Sequence, residues 1–399
     1  MEHKETAGTT FNSTAAQYTL PEALRSFVQH NSIAARSPGR INLIGEHTDY
    51  NNGFVLPAAI DKAAYIVITP RQDQEILLYS VDMNERYATT VEALTKSATM
   101  SWPNYILGVV QQFVLAGIAV TGFDAALTGD VPIGAGLSSS AAVECAVAMA
   151  MNALYAASLD KLTMVKMAQR AENDFVGVQC GIMDQFASMF GKQQHVIRLD
   201  CRSLDYTYVP FKIEGIKILL LDTNVKHSLG ATAYNVRRRQ CETGVEWIQR
   251  HEPQVRSLRD VTMEMLDKYV LHDDILIYQR CKYVIEENQR LLAACDDLER
   301  NDIASFGERM FETHYGLSKL YEVSCPELDF LVTHVENNPS VLGARMMGGG
   351  FGGCTINLVK EEAIEELVAD VAVAYEEAMH KTLKSHVAVI ESGSVLLGV

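Results

Sequence analysis

Gly134-Ala-Gly-Leu-Ser-Ser-Ser-Ala-Ala142 sets two glycines and three serines at the opening of an alanine-rich segment, predicted to be helical from Ser140 to about Ala156. A helix start presents backbone N–H groups without intrahelical partners and a partial positive charge, a setting that suits an anionic phosphate. Glycines let the backbone approach a ligand with no Cβ between them. Serine hydroxyls can hydrogen-bond phosphate oxygens or sit on Mg²⁺. A single serine there would read as a helix cap. Three behind Gly-x-Gly favour an anion site.

Downstream, Asp160 can cap a helix predicted to reach about Asp174. At about 100° per residue, Glu172 falls on the apolar arc of Met164, Val165, Ala168 and Phe175, opposite Lys166, Arg170 and Asn173. A carboxylate on an apolar face is either paired with a cation or bound to metal, and the spacing leaves both open. Twelve positions on, Asp184 lies between Met183 and Phe186 in the uncharged run CGIMDQF, a candidate base with an adjustable pKa.

A second glycine cluster, Met346 to Gly353, fits Gly-x-Gly-x-x-Gly if read naively. That fingerprint requires a helix to open at its third glycine. Here Cys354 to Val359 alternates like a strand, so a dinucleotide-binding oxidoreductase is excluded on context, leaving a tight hairpin or a loop close to a ligand. No GxxxxGK[ST] occurs, which argues against a Walker-type NTPase, and the HRD and DFG tripeptides of protein kinases are missing. A third dense segment, Arg40-Ile-Asn-Leu-Ile-Gly-Glu46-His47-Thr48-Asp49-Tyr50, surrounds a short apolar turn with directional donors and acceptors. Such a set suits a neutral, polyhydroxylated ligand.

The 399 residues suit two domains, and 48% apolar with 21% charged residues exclude wholesale disorder. A balance of 34 Lys+Arg against 50 Asp+Glu, net −16, argues against a general nucleic-acid binder and against adsorption on anionic lipid. Eight cysteines without a CxxC read as reduced and mostly buried. With no apolar region in the first 17 residues and no span of bilayer length, a cytoplasmic protein is expected. Strands and helices mix without regular βαβ alternation, which makes the class α+β. The expected division is a flexible arm at 1–20, one domain over 21–210 and a second, richer in helix, over 211–399. A turn is expected at Pro38-Gly39, and single helices over Ile303–Tyr321 and Glu361–Leu383.

Taken together these segments resemble the GHMP kinase superfamily and, within it, the galactokinase family. GRINLIGEHTDYNNGFVLPAAI at 39–60 resembles the galactokinase signature and GAGLSSSAA at 134–142 the superfamily phosphate loop. GGGFGGC at 348–354 resembles the third superfamily motif, and CGIMDQF at 180–186 the galactokinase catalytic segment. Ser37 stands where Ala is common before Pro-Gly-Arg. The resemblance implies an N-terminal domain of ribosomal S5 domain-2 type and a ferredoxin-like C-terminal domain, with the active site between them.

It also implies roles. Asp184 would be the catalytic base and Arg40 its cationic neighbour. Glu46, His47, Thr48 and Asp49 would bind galactose, with Gly181 and Tyr234. Gly134, Ala135, Gly136, Leu137, Ser138, Ser139 and Ser140 would wrap the phosphates, with Ser80 near the nucleotide, and Ser140 and Glu172 would hold Mg²⁺. The implied reaction is ATP-dependent phosphorylation of α-D-galactose at C1, the first committed step of galactose catabolism, by a monomer with no nucleic-acid or membrane partner. A kinase for N-acetylgalactosamine or arabinose, and a non-catalytic galactose and ATP sensor, are the alternatives.

Overall fold

Strand β1, Ile33–Asn42, runs straight through Pro38 and Gly39, where a turn was expected. In the computed structural model, which describes residues 18–399 except 133, 212 and 226–229, the ladder between β1 and β3 (Pro57–Pro70) shifts register between Pro38 and Arg40. A proline cannot donate to a ladder and is tolerated at such a bulge. The bulge re-aims the chain so that the Arg40 N–H reaches the Leu137 carbonyl of the phosphate loop, 3.1 Å away. Residues 1–17, most of the expected arm, lie outside the described residues.

The first sheet has the order β13-β1-β3-β6-β4-β5, with β4 Glu75–Ser80, β5 Glu85–Thr90, β6 Phe123–Gly129 and β13 Val395–Leu397. All neighbours are antiparallel except β4 and β6. Helix α1 (Glu22–Arg25) lies on one face, where Leu24 meets Val67 and Ala126. On the other lie α2 (Trp102–Leu115), α3 (Ser139–Leu154), α4 (Lys161–Arg170) and α5 (Met183–Phe190). Helices α3 and α5 pack directly on β1 and β3. Burying both faces explains why β3 reads as a nearly continuous apolar run. A small sheet of β2 (Phe54–Val55), β7 (His195–Asp200) and β8 (Tyr206–Pro210) adjoins it.

The third sheet has the order β10-β11-β9-β12, all antiparallel, with β9 Ile216–Asp222, β10 Val341–Met346, β11 Cys354–Lys360 and β12 Lys384–Ala388. Along β9 the side chains alternate with the period of two. Leu219 and Leu221 pack in the core shared with α10 (Pro326–Val335) and α11 (Ile364–Met379), whereas Ile218 and Leu220 join the main core with Phe306 and Met310. This is the ferredoxin-like half of an α+β molecule. A helical cluster of α6 (Gly230–Gln249), α7 (Met263–Tyr269) and α8 (Ile275–Glu299) packs on the side of the turn at 45–54, and α9 (Ile303–Tyr315) lies between α8 and β10.

Three helices end earlier than the sequence predicts. The one from Asp160, whose side chain does accept from Thr163 N at 2.9 Å, ends as α at Arg170 and continues as a π segment over Ala171–Val176. Helix α9 likewise passes into a π segment, Gly316–Tyr321. Such wide turns occur often at functional sites, because the extra residue rotates the following side chains to a new face. Here they carry Glu172 and Tyr321. Helix α11 ends at Met379, where His380 takes the left-handed conformation.

Candidate active site

The phosphate loop is strained where a ligand would need it open. Gly134 and Gly136 have φ of +82° and +78°, and Ser138 at the α3 N-cap has φ 55° and ψ 52°, left-handed for a residue with a Cβ. That conformation costs Ser138 about 1–2 kcal/mol. Its side chain does not cap α3 either, forgoing about 1 kcal/mol. The hydroxyl instead donates to Asp184 Oδ2 at 2.6 Å. The helix start is therefore left with side-chain-free N–H groups facing the loop. Ala135 and Leu137 turn their side chains into the core, so only their main chain is available to a ligand.

Asp184, in the first turn of α5, is held by a two-pronged contact. Arg40 Nε donates to Oδ1 at 2.8 Å and Nη2 to Oδ2 at 3.0 Å, while Nη1 donates to the Gly136 carbonyl at 2.5 Å. The Arg40 side chain is 5% exposed and that of Asp184 24%, so the carboxylate faces the cleft and the guanidinium stands behind it. Burial works against the Arg40 charge, and Asp184, helped by Glu46 and Asp49, outweighs it and raises the pKa. One carboxylate is thus fixed beside the phosphate loop by three donors from two segments.

The turn 45–54 forms the neighbouring wall. Thr48 is fully buried and its hydroxyl faces the Gly45 and Phe54 carbonyls at 2.9 and 2.6 Å, so it braces the turn. Glu46 accepts from Arg345 Nη2 at 3.1 Å and from Gly348 N at 2.8 Å, tying the turn to the second glycine loop. His47 Nδ1 lies 2.7 Å from the Tyr50 hydroxyl, and its ring packs among Tyr234 and Tyr321 at 5.3 and 4.9 Å. Burial pushes the His47 pKa down to about 3, so the imidazole is neutral. Asp49 goes the other way: burial and then the Asp184 charge push it up to about 7. A Cβ on Gly181 would stand 2.0 Å from Asp49 Oδ2, so only glycine lets the backbone leading to Asp184 lie against that carboxylate.

Glu172 is 7% exposed and has no cation partner among the described residues. Its Oε2 accepts from Gln185 Nε2 at 2.7 Å, with Cys180 Sγ at 3.5 Å and Ser140 as a further hydroxyl neighbour. Burial, then Asp184, pushes its pKa up to about 7. Behind it Glu144, fully buried, is pushed well above the usual carboxylate range by burial and by Glu172, and its Oε1 has no partner among the described residues. The described residues hold no cluster of three or more His, Cys, Asp or Glu able to ligate a metal unaided. One carboxylate with one hydroxyl at a phosphate loop does fit Mg²⁺, which keeps waters and takes phosphate oxygens.

Two cavities meet at Gly134, Ser139 and Ser140. One, of about 320 Å³, is lined by Ser80, Trp102, Tyr105 and Val143, an apolar slot suited to a base and ribose. The other, of about 290 Å³, runs past Arg40, Ser138, Tyr234 and Gly349. The second glycine cluster is the β10–β11 hairpin loop, with positive φ at Gly348, Gly350, Gly352 and Gly353, and it also forms a wall of this cavity.

Comparison with known proteins gives the family. Residues 23–70 match the model of the galactokinase galactose-binding signature, 104–192 the GHMP kinases N terminal domain and 294–376 the GHMP kinases C terminal model. A galactokinase of Thermotoga neapolitana is 43% identical over 354 residues, 89% of this chain and 97% of the relative. A Roseiflexus galactokinase is 40% identical over 358 residues, 90% and 91% of the two chains. The chain belongs to the galactokinase family. Among solved structures, Lactococcus lactis galactokinase complexed with galactose superimposes with a TM-score of 0.87 at 34% identity, covering 91% of this chain and 95% of that one. Mevalonate kinase of Methanococcus jannaschii, at 19% identity and a TM-score of 0.60, shares the fold.

In this galactokinase-family chain the structure adds residues that the sequence did not single out. Arg345, fully buried, donates to the Leu43 carbonyl at 2.8 Å, to that of Asn42 and to Glu46. From α8, Glu287 accepts from Gly45 N and Asn288 from Phe54 N, both at 2.8 Å. Tyr321 hydrogen-bonds Tyr50 at 2.8 Å. Only Arg345, next to the glycine cluster, and Gln185, next to Asp184, lay beside a motif that could have pointed to them.

Proposed function

We propose that this chain transfers the γ-phosphoryl group of ATP to the C1 hydroxyl of α-D-galactose, giving galactose 1-phosphate and ADP. The observation that carries the reading is the Asp184 carboxylate, fixed by Arg40 and Ser138 beside a phosphate loop and opening toward a wall of buried polar groups. Asp184 accepts the C1 hydroxyl proton, the freed oxygen attacks the γ-phosphorus, and the bond to the β–γ bridging oxygen breaks. Arg40 and the α3 start offset the charge that spreads over the transferring group. Glu46, His47, Asp49, Gly181 and Tyr234 orient the sugar, with Thr48 supporting their turn. The main chain of Gly134, Ala135, Gly136, Leu137, Ser138, Ser139 and Ser140 takes the phosphates, and Ser80 lies at the nucleotide. Ser140 and Glu172 would hold Mg²⁺, which when bound would supply neutralisation of the phosphate charge. We assign residues 21–210 to a sugar- and ATP-binding domain, to which the GHMP kinase C-terminal domain, 211–399, adds Tyr234, and propose a monomer working in the cytoplasm. No helix among the described residues is long and apolar enough to cross a membrane.

An ADP-release assay with galactose, arabinose and N-acetylgalactosamine tests the reading. Galactose should give the highest kcat/KM, and tight sugar binding without ADP release would support the sensor instead.

Asp49 adds a pH signature. Its carboxyl titrates near 7 in the free protein, and a sugar hydroxyl donates better to the ionised form. Binding therefore releases a proton, and galactose affinity measured without nucleotide should rise by up to about tenfold per pH unit below 7 and level off above it. Neutral His47, with its pKa near 3, does not contribute. Isothermal titration across that range checks this; a flat profile for the unmodified chain counts against it, and Asp49→Asn should remove the slope.

A further inference from the structure

Two carboxylates, Glu144 and Glu172, share one neutral amide. Gln185 is fully buried, and its Nε2 donates one N–H to Glu172 Oε2 at 2.7 Å and the other to Glu144 Oε2 at 3.0 Å. No other side chain among the described residues donates an N–H to either carboxylate; the further neighbours of Glu172 are the Cys180 thiol and the Ser140 hydroxyl. Gln185 Oε1 is buried with no partner among the described residues, so the carboxamide keeps its orientation for the sake of its two donors alone. Leaving a buried carbonyl oxygen unsatisfied is destabilising. A leucine or methionine of the same volume would avoid that cost.

The backbone makes the clamp specific. Glu172 stands in the π segment Ala171–Val176, which packs against α2 and buries the side chain. Glu144 stands one turn along α3 from Ser140 and points to the same amide. Gln185 is the residue after Asp184 in α5. One carboxamide thus links three elements: the helix that opens at the phosphate loop, the π turn, and the helix that presents Asp184.

We propose that Gln185 is a positioning residue for the divalent cation: its amide, anchored on Glu144, fixes Glu172 Oε2 so that the other oxygen stands ready beside Ser140. The proposal rests on the assignment of Glu172 and Ser140 to Mg²⁺. An amide can hold a ligand carboxylate without competing for the cation, whereas a Lys or Arg in the same place would repel it. Removing an outer partner of this kind typically lowers metal affinity about 10–100-fold.

The test replaces Gln185 by Met, which fills the space without donating, and by Asn, which keeps the amide but falls short of both carboxylates. Binding of Mn²⁺ in the presence of ADP is followed by its paramagnetic resonance signal, independent of turnover, alongside the Mg²⁺ concentration for half-maximal activity. Both variants should weaken Mn²⁺ binding and raise the Mg²⁺ requirement about 10–100-fold, with galactose KM changed by less than about threefold. A role in stability alone would lower the melting temperature and leave the metal titration in place, and that result overturns the proposal. Should the Met variant fail to fold, the Asn variant decides. Glu172→Gln separates the two layers. If it shifts the metal titration and neither Gln185 variant does, only the present inference fails. If Glu172→Gln leaves the titration unmoved, the metal assignment fails and this inference with it.

Discussion

Asp184→Asn should turn over galactose about 10²–10⁴-fold or more slowly than the parent chain, the range associated with loss of a general base. The substitution preserves shape and one acceptor oxygen, so Ser138 can still donate to the side chain across the 2.6 Å it spans now. What changes is the other oxygen, Oδ1, which becomes an N–H₂ facing Arg40 Nε at the position of the 2.8 Å contact. The side chain then has nowhere to place the C1 proton. Because Asp184 is 24% exposed and lies at a cleft wall, the fold should tolerate the change. Galactose binding by titration, without nucleotide, should stay within a few-fold of the parent, since the residues proposed to orient the sugar, Glu46, His47 and Asp49, lie on another segment. A kcat near the parent value would remove Asp184 from the proposed mechanism. A collapse of sugar binding with kcat preserved would recast it as a binding group.

Much of this site was legible because its parts are contiguous. Main-chain N–H groups at a helix start, a polar turn at 46–50 and Asp184 in an uncharged run are each written within a dozen residues, where residue type and spacing carry the chemistry. The cationic partner of Asp184 came from the resemblance; nothing in local spacing brings Arg40 to a residue 144 positions away. The parts that escaped are long-range and non-periodic. Glu287 meets Gly45 across 242 positions and Arg345 meets Glu46 across 299, and neither leaves a trace in hydrophobic period. Glu172 shows the limit most clearly. Its place on the apolar arc was readable, and the choice between cation and metal was not, because the polar neighbour that excludes a cation, Gln185, comes from another helix. The π segments escaped for a related reason, since a widened turn shows only in the hydrogen bonding of the folded chain. The turn expected at Pro38-Gly39 failed because the dipeptide sits at a bulge, where the same residue types serve a strand.

Arg40→Lys should lower kcat by about 10²–10³-fold, the loss typical of removing one preorganised charge-stabilising group, despite keeping the positive charge. Arginine meets three acceptors at once here: both Asp184 oxygens and the Gly136 carbonyl. An ammonium cannot match the planar fork and reaches at most one oxygen of the pair. Two effects then add: Asp184 gains rotational freedom at the moment of proton transfer, and the phosphate loop loses the tie through Gly136. Galactose KM should change much less than kcat, because the sugar wall is held from the far side by Arg345 and Glu287. The double variant decides how Arg40 acts. If its role is to hold Asp184, Arg40→Lys combined with Asp184→Asn should be no slower than Asp184→Asn alone, since groups that act as a unit do not add. If Arg40 also acts apart from Asp184, through the Gly136 tie or by offsetting charge on the transferring phosphoryl group, the double variant falls further by about tenfold or more. A single Arg40→Lys variant with kcat close to the parent would show that the bidentate geometry contributes nothing to turnover, and would leave Ser138 as the group that orients the carboxylate.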